Sequence, residues 1–175
     1  MIKIGEAAPG FENVTAYKKG QEEFPKINLS DYKGSWLVLF FYPRDFTFVC
    51  PTEIKEFAKF EEEFEKCGCK VLGASTDSEF SHKAWFERDL DMVEYPVLAD
   101  TTQKVSDSYQ VLGPDGGAQR GTFIIDPEGV IRWLNVSDNA VGRSVKEVHR
   151  ALKALQSGGL CPVEWSPGEK TLGKA

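Results

Sequence analysis

The sequence predicts an α/β fold in which a mixed central sheet is flanked by helices on both faces. The apolar run at 36–41 predicts a strand over 35–42 that is buried on both sides, because no polar residue alternates within it. A charged segment with helical periodicity follows at 51–66, and a second strand-like segment lies at 69–75. A strand, a helix and a strand in succession predict parallel neighbours at the centre of the sheet.

The elements before residue 70 follow from local signals. The first 34 residues predict turns and one short edge strand at 25–29. In the helix that follows the central strand, Ile54, Phe57 and Phe64 recur at the spacing of one helical face. Gly68 should end this helix, because glycine readily adopts the left-handed conformation of a helix C-terminus.

The second half of the chain predicts three helices, a short strand and an antiparallel hairpin. They are a helix at 78–89, a strand at 97–99, a short helix at 102–109, hairpin strands at 121–126 and 130–136, and a helix at 143–155. Ser78 is a good N-cap for the first of these helices, and Phe80, Ala84 and Trp85 are predicted to form its apolar side. Arg120 lies just before the hairpin.

Length, composition and charge predict a cytoplasmic protein with one main domain. The chain has 175 residues, of which 41% are hydrophobic and 27% are charged, an ordinary globular balance. Its net charge of −6 disfavours binding to a phosphate backbone. The start resembles no signal peptide, and no apolar run approaches the ~20 residues that cross a bilayer. We therefore expect neither nucleic acid nor membrane as a partner. We also expect one domain at 1–157, followed by a C-terminal tail at 158–175.

Cysteine usage indicates catalysis and not a structural framework. The four cysteines stand at positions 50, 67, 69 and 161, too sparse and irregular for a disulfide scaffold. Cys67 and Cys69 are separated by one residue, and His82 and His149 complete no zinc pattern with them. We expect no metal and no cofactor. Cys67 and Cys69 are predicted to be packing or surface residues, with an accessory redox role as the alternative.

The segment that joins the first buried strand to the helix at 51–66 carries the candidate nucleophile. Pro51 is favoured at the first helical position, so Cys50 is predicted to be the N-cap or its neighbour. There the unpaired backbone N–H groups and the positive end of the helix dipole stabilise a thiolate. The alternative is a cysteine that is merely buried, as free cysteines often are.

Three neighbours favour the nucleophile over the buried cysteine. Thr47 can turn its hydroxyl toward the sulfur or toward an oxygen of a bound substrate. Pro43 carries no N–H and can shield the pocket from water. Glu53, in the first helical turn, would repel a nearby thiolate, so the site requires a cationic partner.

The pattern Pro43-x-x-x-Thr47-x-x-Cys50 resembles the signature of the peroxiredoxins, which are thiol peroxidases on a thioredoxin-like fold. The resemblance continues at 120–126, 141–143 and 161–165 and so spans most of the chain. The last of these segments is similar to the resolving-cysteine segment of the typical two-cysteine subgroup, which includes the alkyl hydroperoxide reductase peroxidase subunit. The resemblance therefore implies a thioredoxin-like (peroxiredoxin) fold and the reduction of hydrogen peroxide and organic hydroperoxides.

The resemblance also implies a role for each residue of the peroxide site. Cys50 would be the peroxidatic cysteine, which the substrate converts to a sulfenic acid. Thr47 and Arg120 would hold the peroxide and stabilise its transition state, and Pro43 would form the wall of the pocket. Arg120 would also supply the required cation, and Arg143 would orient it together with Glu53. 

Cys161, by the same resemblance, would be the resolving cysteine. It would form a disulfide with Cys50 of the other subunit, so a homodimer would be the working unit. Some members of the subgroup assemble five such dimers into a ring. The first helical turn at Cys50 would unwind to bring the sulfurs together. The disulfide would be reduced by thioredoxin, another dithiol or a flavoprotein disulfide reductase.

The sequence departs from the family pattern in two places. No Gly-Gly-Leu-Gly insertion lies between Trp85 and Tyr95, and no Tyr-Phe ending follows Cys161. Both features belong to relatives that are easily inactivated by overoxidation. We therefore predict an enzyme that resists overoxidation.

Three alternative functions are weaker. A thioredoxin-type disulfide oxidoreductase would need a cysteine three residues from Cys50, where Thr47 and Glu53 stand. A cysteine hydrolase would need a histidine base, and neither His82 nor His149 falls near Cys50 in the predicted order of elements. A ring-forming chaperone that holds unfolded proteins is the non-enzymatic alternative.

Overall fold

The computed structural model of the protein describes residues 2–174 and contains a seven-stranded mixed sheet. In chain order the elements are β1 Val14–Tyr17, β2 Lys26–Ile27, a short 3₁₀ helix Leu29–Tyr32, β3 Trp36–Phe41, α1 Cys50–Lys66, β4 Cys69–Ser75, α2 Glu79–Asp89, β5 Val97–Ala99, α3 Lys104–Ser108, β6 Arg120–Ile125, β7 Ile131–Ser137 and α4 Val145–Gln156. The predicted α/β class is confirmed.

The sheet has the strand order β2-β1-β5-β4-β3-β6-β7. Strand β4 runs parallel to both β3 and β5, and all other neighbouring strands are antiparallel. The predicted parallel unit therefore occupies the centre, and the predicted hairpin of β6 and β7 forms one edge. This arrangement places the C-terminal end of β3, which leads into α1, beside the start of β6.

Helices cover both faces of the sheet, as predicted, but unequally. Alternate residues of β3 point to opposite sides, and those at 38 and 40 pack against side chains from α1, α2 and α4. The residues of β3 at 37, 39 and 41 contribute to a second core that includes Val105 and Tyr109 beside α3. Three helices therefore cover one face, and the short α3 with the N-terminal segment covers the other.

Several local predictions need correction. Strand β1 lies in the first 34 residues, where only the edge strand at β2 was predicted. Helix α1 begins at Cys50 with Val49 as its N-cap, so Pro51 occupies the second helical position and not the first. Arg120 is the first residue of β6 and not the residue before it. Gly68 does end α1, with a φ of 64°.

The buried side of α2 also differs from the prediction. Ser78 is the N-cap as predicted, and its side chain accepts a hydrogen bond from the Ser81 N–H. Phe80 and Ala84, however, are exposed, and the buried residues are His82, Trp85 and Phe86. The prediction failed because His82, a polar residue, is drawn into the core by hydrogen bonds that periodicity does not reveal.

The segment after α4 folds back on itself. The Leu160 N–H donates to the Gly173 carbonyl at 3.0 Å, and the Leu172 N–H donates to the Leu160 carbonyl at 2.8 Å. Trp165 is buried, and Arg150 of α4 donates to its carbonyl at 3.0 Å. The predicted division into a domain at 1–157 and a tail at 158–175 stays a prediction, and its outermost residues, 1 and 175, lie outside the described part. None of the helices between residues 2 and 174 is long and apolar enough to cross a membrane.

Candidate active site

Cys50 is the first residue of α1 and lies at the end of the loop that leaves β3. Its side chain is buried, and the carbonyl of the preceding Val49 accepts the Thr52 N–H at 3.0 Å in the first helical turn. The Thr52 and Glu53 N–H groups both donate to this carbonyl and Pro51 has no N–H, so the row of unpaired N–H groups that the sequence predicted is absent from this part of the described chain. The positive end of the helix dipole still favours negative charge on the Cys50 sulfur. The predicted position at a strand-to-helix junction is confirmed.

A guanidinium group reaches this sulfur from β6. Arg120 Nη1 lies 3.4 Å from Cys50 Sγ and 2.6 Å from Glu53 Oε2. The other nitrogens of Arg120, Nε and Nη2, donate to the Asn139 carbonyl at 3.0 and 2.8 Å. The group is therefore held on both sides, and one nitrogen faces the sulfur in a fixed direction. The cationic partner that the sequence required is present.

Glu53 joins two arginines in a buried cluster. Its carboxylate pairs with Arg120 at 2.6 Å and with Arg143 at 2.8 Å, and the three side chains are only 2%, 4% and 3% exposed. Two guanidinium charges therefore face one carboxylate. A thiolate on Cys50 would balance the remaining positive charge, which stabilises the anionic form of the sulfur.

Arg143 holds the cluster to the sheet. Its backbone N–H and its Nε both donate to Glu53 Oε1 at 2.8 Å, and Nη1 donates to the Gly121 carbonyl and to the Thr122 hydroxyl at 2.9 Å. Burial lowers the pKa of Arg143, and the hydrogen bonds to Glu53 oppose this shift. Among the described residues, Arg143 makes no hydrogen bond to the sulfur or to the loop before it, and its side chain lies behind Glu53 as seen from Cys50.

Thr47 and Pro43 lie in the loop that leads from β3 to Cys50. The Thr47 hydroxyl donates to the Arg44 carbonyl at 2.9 Å, so its hydrogen is directed to the backbone while its oxygen retains lone pairs that can accept a hydrogen bond. Pro43 is half-buried, and its carbonyl lies close against Gly117. The structure therefore brings Cys50 and Arg120 into contact and places Thr47 and Pro43 in the adjoining loop.

A buried polar network centred on Asp45 holds this loop against α2. Asp45 accepts hydrogen bonds from the Tyr42 hydroxyl at 2.8 Å and from the Ser81 hydroxyl at 2.7 Å. His82 Nδ1 lies 2.8 Å from Asp45 Oδ2, and its Nε2 lies 3.1 Å from the Leu98 carbonyl. No role for Asp45 was predicted. The signal that the sequence offered was a carboxylate five residues before Cys50, in the segment that carries the nucleophile.

Cys161 lies in different surroundings, beyond the end of α4. It is half-buried, with its sulfur 3.4 Å from the Ser157 hydroxyl and 3.8 Å from the Ala154 carbonyl. Cys50, by contrast, has its neighbours on β6 and α1. All four cysteines fall within the described residues 2–174, and each is a free thiol.

Comparisons with known proteins identify the family. The model of the AhpC/TSA family matches residues 4–134. Peroxiredoxin-2 of Macaca fascicularis is 49% identical, over 97% of this chain and 89% of that protein. Among solved structures, the reduced 2-Cys peroxiredoxin of Plasmodium vivax is similar with a TM-score of 0.90 and 35% identity, over 96% of this chain and 91% of that one. AhpC of Mycobacterium bovis is similar with a TM-score of 0.85 and 40% identity, over 94% and 98%.

These similarities extend over nearly the whole chain. They confirm the thioredoxin-like peroxiredoxin fold that the sequence motifs implied, and they extend through the segment that carries Cys161. The chain belongs to the AhpC/TSA family and is a thiol-dependent peroxidase of the peroxiredoxin class.

Proposed function

We propose that this peroxidase reduces hydrogen peroxide and organic hydroperoxides with Cys50 as the peroxidatic cysteine and Cys161 as the resolving cysteine. The observation that carries the proposal is the contact of Arg120 Nη1 with Cys50 Sγ at 3.4 Å. In the described part of the chain, no other cysteine sulfur has a guanidinium nitrogen within hydrogen-bond distance. A thiolate is the reactive form of cysteine, so the sulfur that is best supplied with positive charge is the best nucleophile.

In the first step the Cys50 thiolate attacks the nearer peroxide oxygen in line with the O–O bond. That bond breaks, Cys50 becomes a sulfenic acid, and the departing oxygen takes up a proton. Negative charge grows on the departing oxygen, so donors that already point at it lower the barrier. Arg120 is such a donor, and the lone pairs of the Thr47 oxygen can accept the peroxide hydrogen. Pro43 closes the side of the pocket without adding a competing N–H.

In the second step the Cys161 thiol of a partner subunit condenses with the sulfenic acid. Water leaves, and a disulfide joins the two chains. A disulfide requires Cα atoms ~4.4–6.8 Å apart, and the neighbours of Cys161 differ from those of Cys50. The resemblance to the two-cysteine peroxiredoxins supports a homodimer as the minimal unit, in which the first turn of α1 unwinds to bring the two sulfurs together. Five such dimers forming a ring is the larger assembly that we propose.

The disulfide is returned to two thiols by a dithiol or flavoprotein reductant, such as thioredoxin or a dedicated disulfide reductase. Electrons pass to the disulfide by exchange with the thiolate of that reductant. The cytoplasm is a suitable compartment, because thiols there are kept reduced and Cys50 must begin each cycle as a free thiol.

The test is peroxide consumption together with gel electrophoresis under non-reducing conditions. Peroxide should convert the protein to a covalent dimer, and dithiothreitol should reduce this dimer back to single chains. Cys50→Ser should abolish both consumption and dimer, whereas Cys161→Ser should consume about one equivalent and form no Cys50–Cys161 dimer. A covalent dimer that persists in Cys161→Ser, or full turnover in Cys50→Ser, would refute the assignment.

A further inference from the structure

A second thiol meets a histidine at the opposite end of α1 from Cys50. Cys67 follows the last residue of α1, and its sulfur lies 3.8 Å from Nε2 of His149 on α4. Both side chains are half-buried, so the pair is partly open to solvent. A helix of 17 residues is about 25 Å long, so this pair lies too far from Cys50 to take part in its chemistry.

Packing fixes both members of the pair. The Gln156 side chain donates to the Cys67 carbonyl at 2.7 Å and ties the end of α1 to α4. The His149 ring packs edge-on against Phe64, with ring centroids 5.5 Å apart, and against Phe60 at 5.8 Å. The thiol and the imidazole are therefore held together by the same core that joins the two helices.

Burial suits the imidazole to the role of a base, because it favours the neutral form of the ring. Burial lowers the pKa of His149, Glu63 of α1 opposes this shift, and Lys153 of α4 adds to it. Glu63 is itself paired with Lys66 at 2.9 Å. A neutral imidazole has one nitrogen with a free lone pair, which can accept the proton of a neighbouring thiol.

Cys69, two residues further along the chain, provides an internal contrast. It is fully buried, and burial raises the pKa of its thiol to about 12. A thiol of this kind remains protonated and out of reach of a reagent. The two cysteines that the sequence grouped together therefore differ in access and in their neighbours.

We propose that Cys67 and His149 form a second thiol site, which reacts with small disulfides to form a mixed disulfide. In this step His149 Nε2 takes the Cys67 proton as the sulfur forms a bond with one sulfur of the small disulfide. The original S–S bond breaks, and the departing thiolate takes a proton from the imidazolium. Cys67 is oxidised and the departing sulfur is reduced, so the small disulfide is the only oxidant needed.

The test uses a Cys50→Ser/Cys161→Ser background, in which Cys67 and Cys69 are the remaining thiols. The rate of reaction with 2,2′-dithiodipyridine and with oxidised glutathione is measured between pH 6 and 9, and the labelled residue is identified by peptide mass. We expect one label per chain, at Cys67. His149→Gln should slow the reaction at pH 7 by about tenfold or more, because a positioned base typically contributes ~10²–10⁴-fold.

Two further variants separate a base from a structural residue. Lys153→Gln, one helical turn after His149, removes a nearby charge but no base, and it should change the rate less than threefold. In His149→Ala, imidazole added to the solution should restore much of the rate. Equal rates in the His149→Gln and parent proteins, labelling at Cys69, or no restoration by imidazole in a His149→Ala protein with a native circular dichroism spectrum would overturn the proposal.

Peroxide turnover measures the reaction proposed for Cys50 and Cys161, so it distinguishes a failure of that function from a failure of the Cys67 site. Cys67→Ser in the otherwise native chain should lose only the label on the peptide that contains position 67 and should retain native peroxide turnover. If the label is lost and turnover falls as well, the second site is not independent of the first and the proposal is wrong. The disulfide chemistry proposed for Cys50 and Cys161 is tested on a different pair of variants.

Discussion

Arg120 uses a single nitrogen, Nη1, to contact both the Cys50 sulfur and the Glu53 carboxylate. The two remaining contacts of the group go to one backbone carbonyl, that of Asn139. This combination needs a planar, forked cation with several donors, which arginine has and lysine lacks. The geometry of the site at the scale of one residue therefore depends on the shape of the group and not only on its charge.

Arg120→Lys tests this dependence on shape. The variant keeps the positive charge but cannot hold Asn139, Glu53 and the sulfur at once. We expect kcat/KM for hydrogen peroxide to fall by about 10²–10³, the usual cost of losing one aimed donor at a developing anion. Arg132→Lys, on the exposed side of the adjacent strand β7, is the matched control and should leave kcat/KM unchanged. Similar values for the two variants would show that charge alone is enough.

Glu53→Gln tests the charge balance of the buried cluster. The substitution leaves Arg120 and Arg143 facing a neutral amide, and breaking a buried ion pair typically costs ~3–5 kcal/mol of the free energy of unfolding. Glu56→Gln, which removes an exposed pair with Lys59, should cost less than ~1 kcal/mol. Urea denaturation of both variants measures the difference. A loss below 1 kcal/mol in Glu53→Gln would contradict the prediction.

At the scale of elements, the predictions from sequence succeeded where periodicity was strong and failed where tertiary contacts decide. The central strand and α1 were predicted because an apolar run and a helical face are local signals. Strand β1 was missed because its four residues include the polar Thr15 and form no apolar run, whereas the shorter β5 is entirely apolar. The buried side of α2 was wrong because His82 gains its partners, Asp45 and Leu98, only from other elements.

The same distinction applies to the site. Cys50 and Arg120 were predicted because a side chain in a recognisable motif can be found in a sequence. The contact of Arg120 with the Asn139 carbonyl could not be predicted, because every residue has a carbonyl and only the fold brings one to this place. The pair of Cys67 and His149 was missed for a related reason, since its members come from two helices that are far apart in the chain.

The close approach of β6 to the segment before it gives a prediction about packing. A Cβ on Gly121 would lie 2.6 Å from Val111 Cγ1, closer than real contacts allow. We expect Gly121→Ala to destabilise the protein by ~1–3 kcal/mol, as overpacking does. Adding Val111→Ala should recover part of this loss, so the two changes should not be additive in a double-mutant cycle. Additive losses would show that the strain lies elsewhere.

At the scale of the whole molecule, the proposed cycle depends on how fast the two sulfurs meet. A Cys50 sulfenic acid that has not yet formed the disulfide can react with a second peroxide molecule, which converts it to a sulfinic acid. The Gly-Gly-Leu-Gly insertion of relatives that are easily overoxidised does not occur between Trp85 and Tyr95. Rapid unwinding and rapid disulfide formation should therefore protect Cys50.

We accordingly predict resistance to overoxidation. Intact mass measured over graded hydrogen peroxide should show the disulfide at modest excess, with sulfinic Cys50 appearing only at large excess. Cys161→Ser lacks the resolving thiol and should accumulate the sulfinic form at much lower peroxide. If the native protein accumulates it as readily as this control, the protection that we predict is absent.

The two arginines on Glu53 also limit how far Cys50 can travel. Glu53 stands three positions after Cys50, and its ion pairs with Arg120 and Arg143 hold it in place. If the first turn of α1 unwinds, Glu53 is therefore the fixed point from which Cys50 can move. Three fully extended residues span about 10 Å. In the proposed cycle, the partner thiol must therefore come to within that distance of Glu53, so this carboxylate would set how far the reactive sulfur can reach.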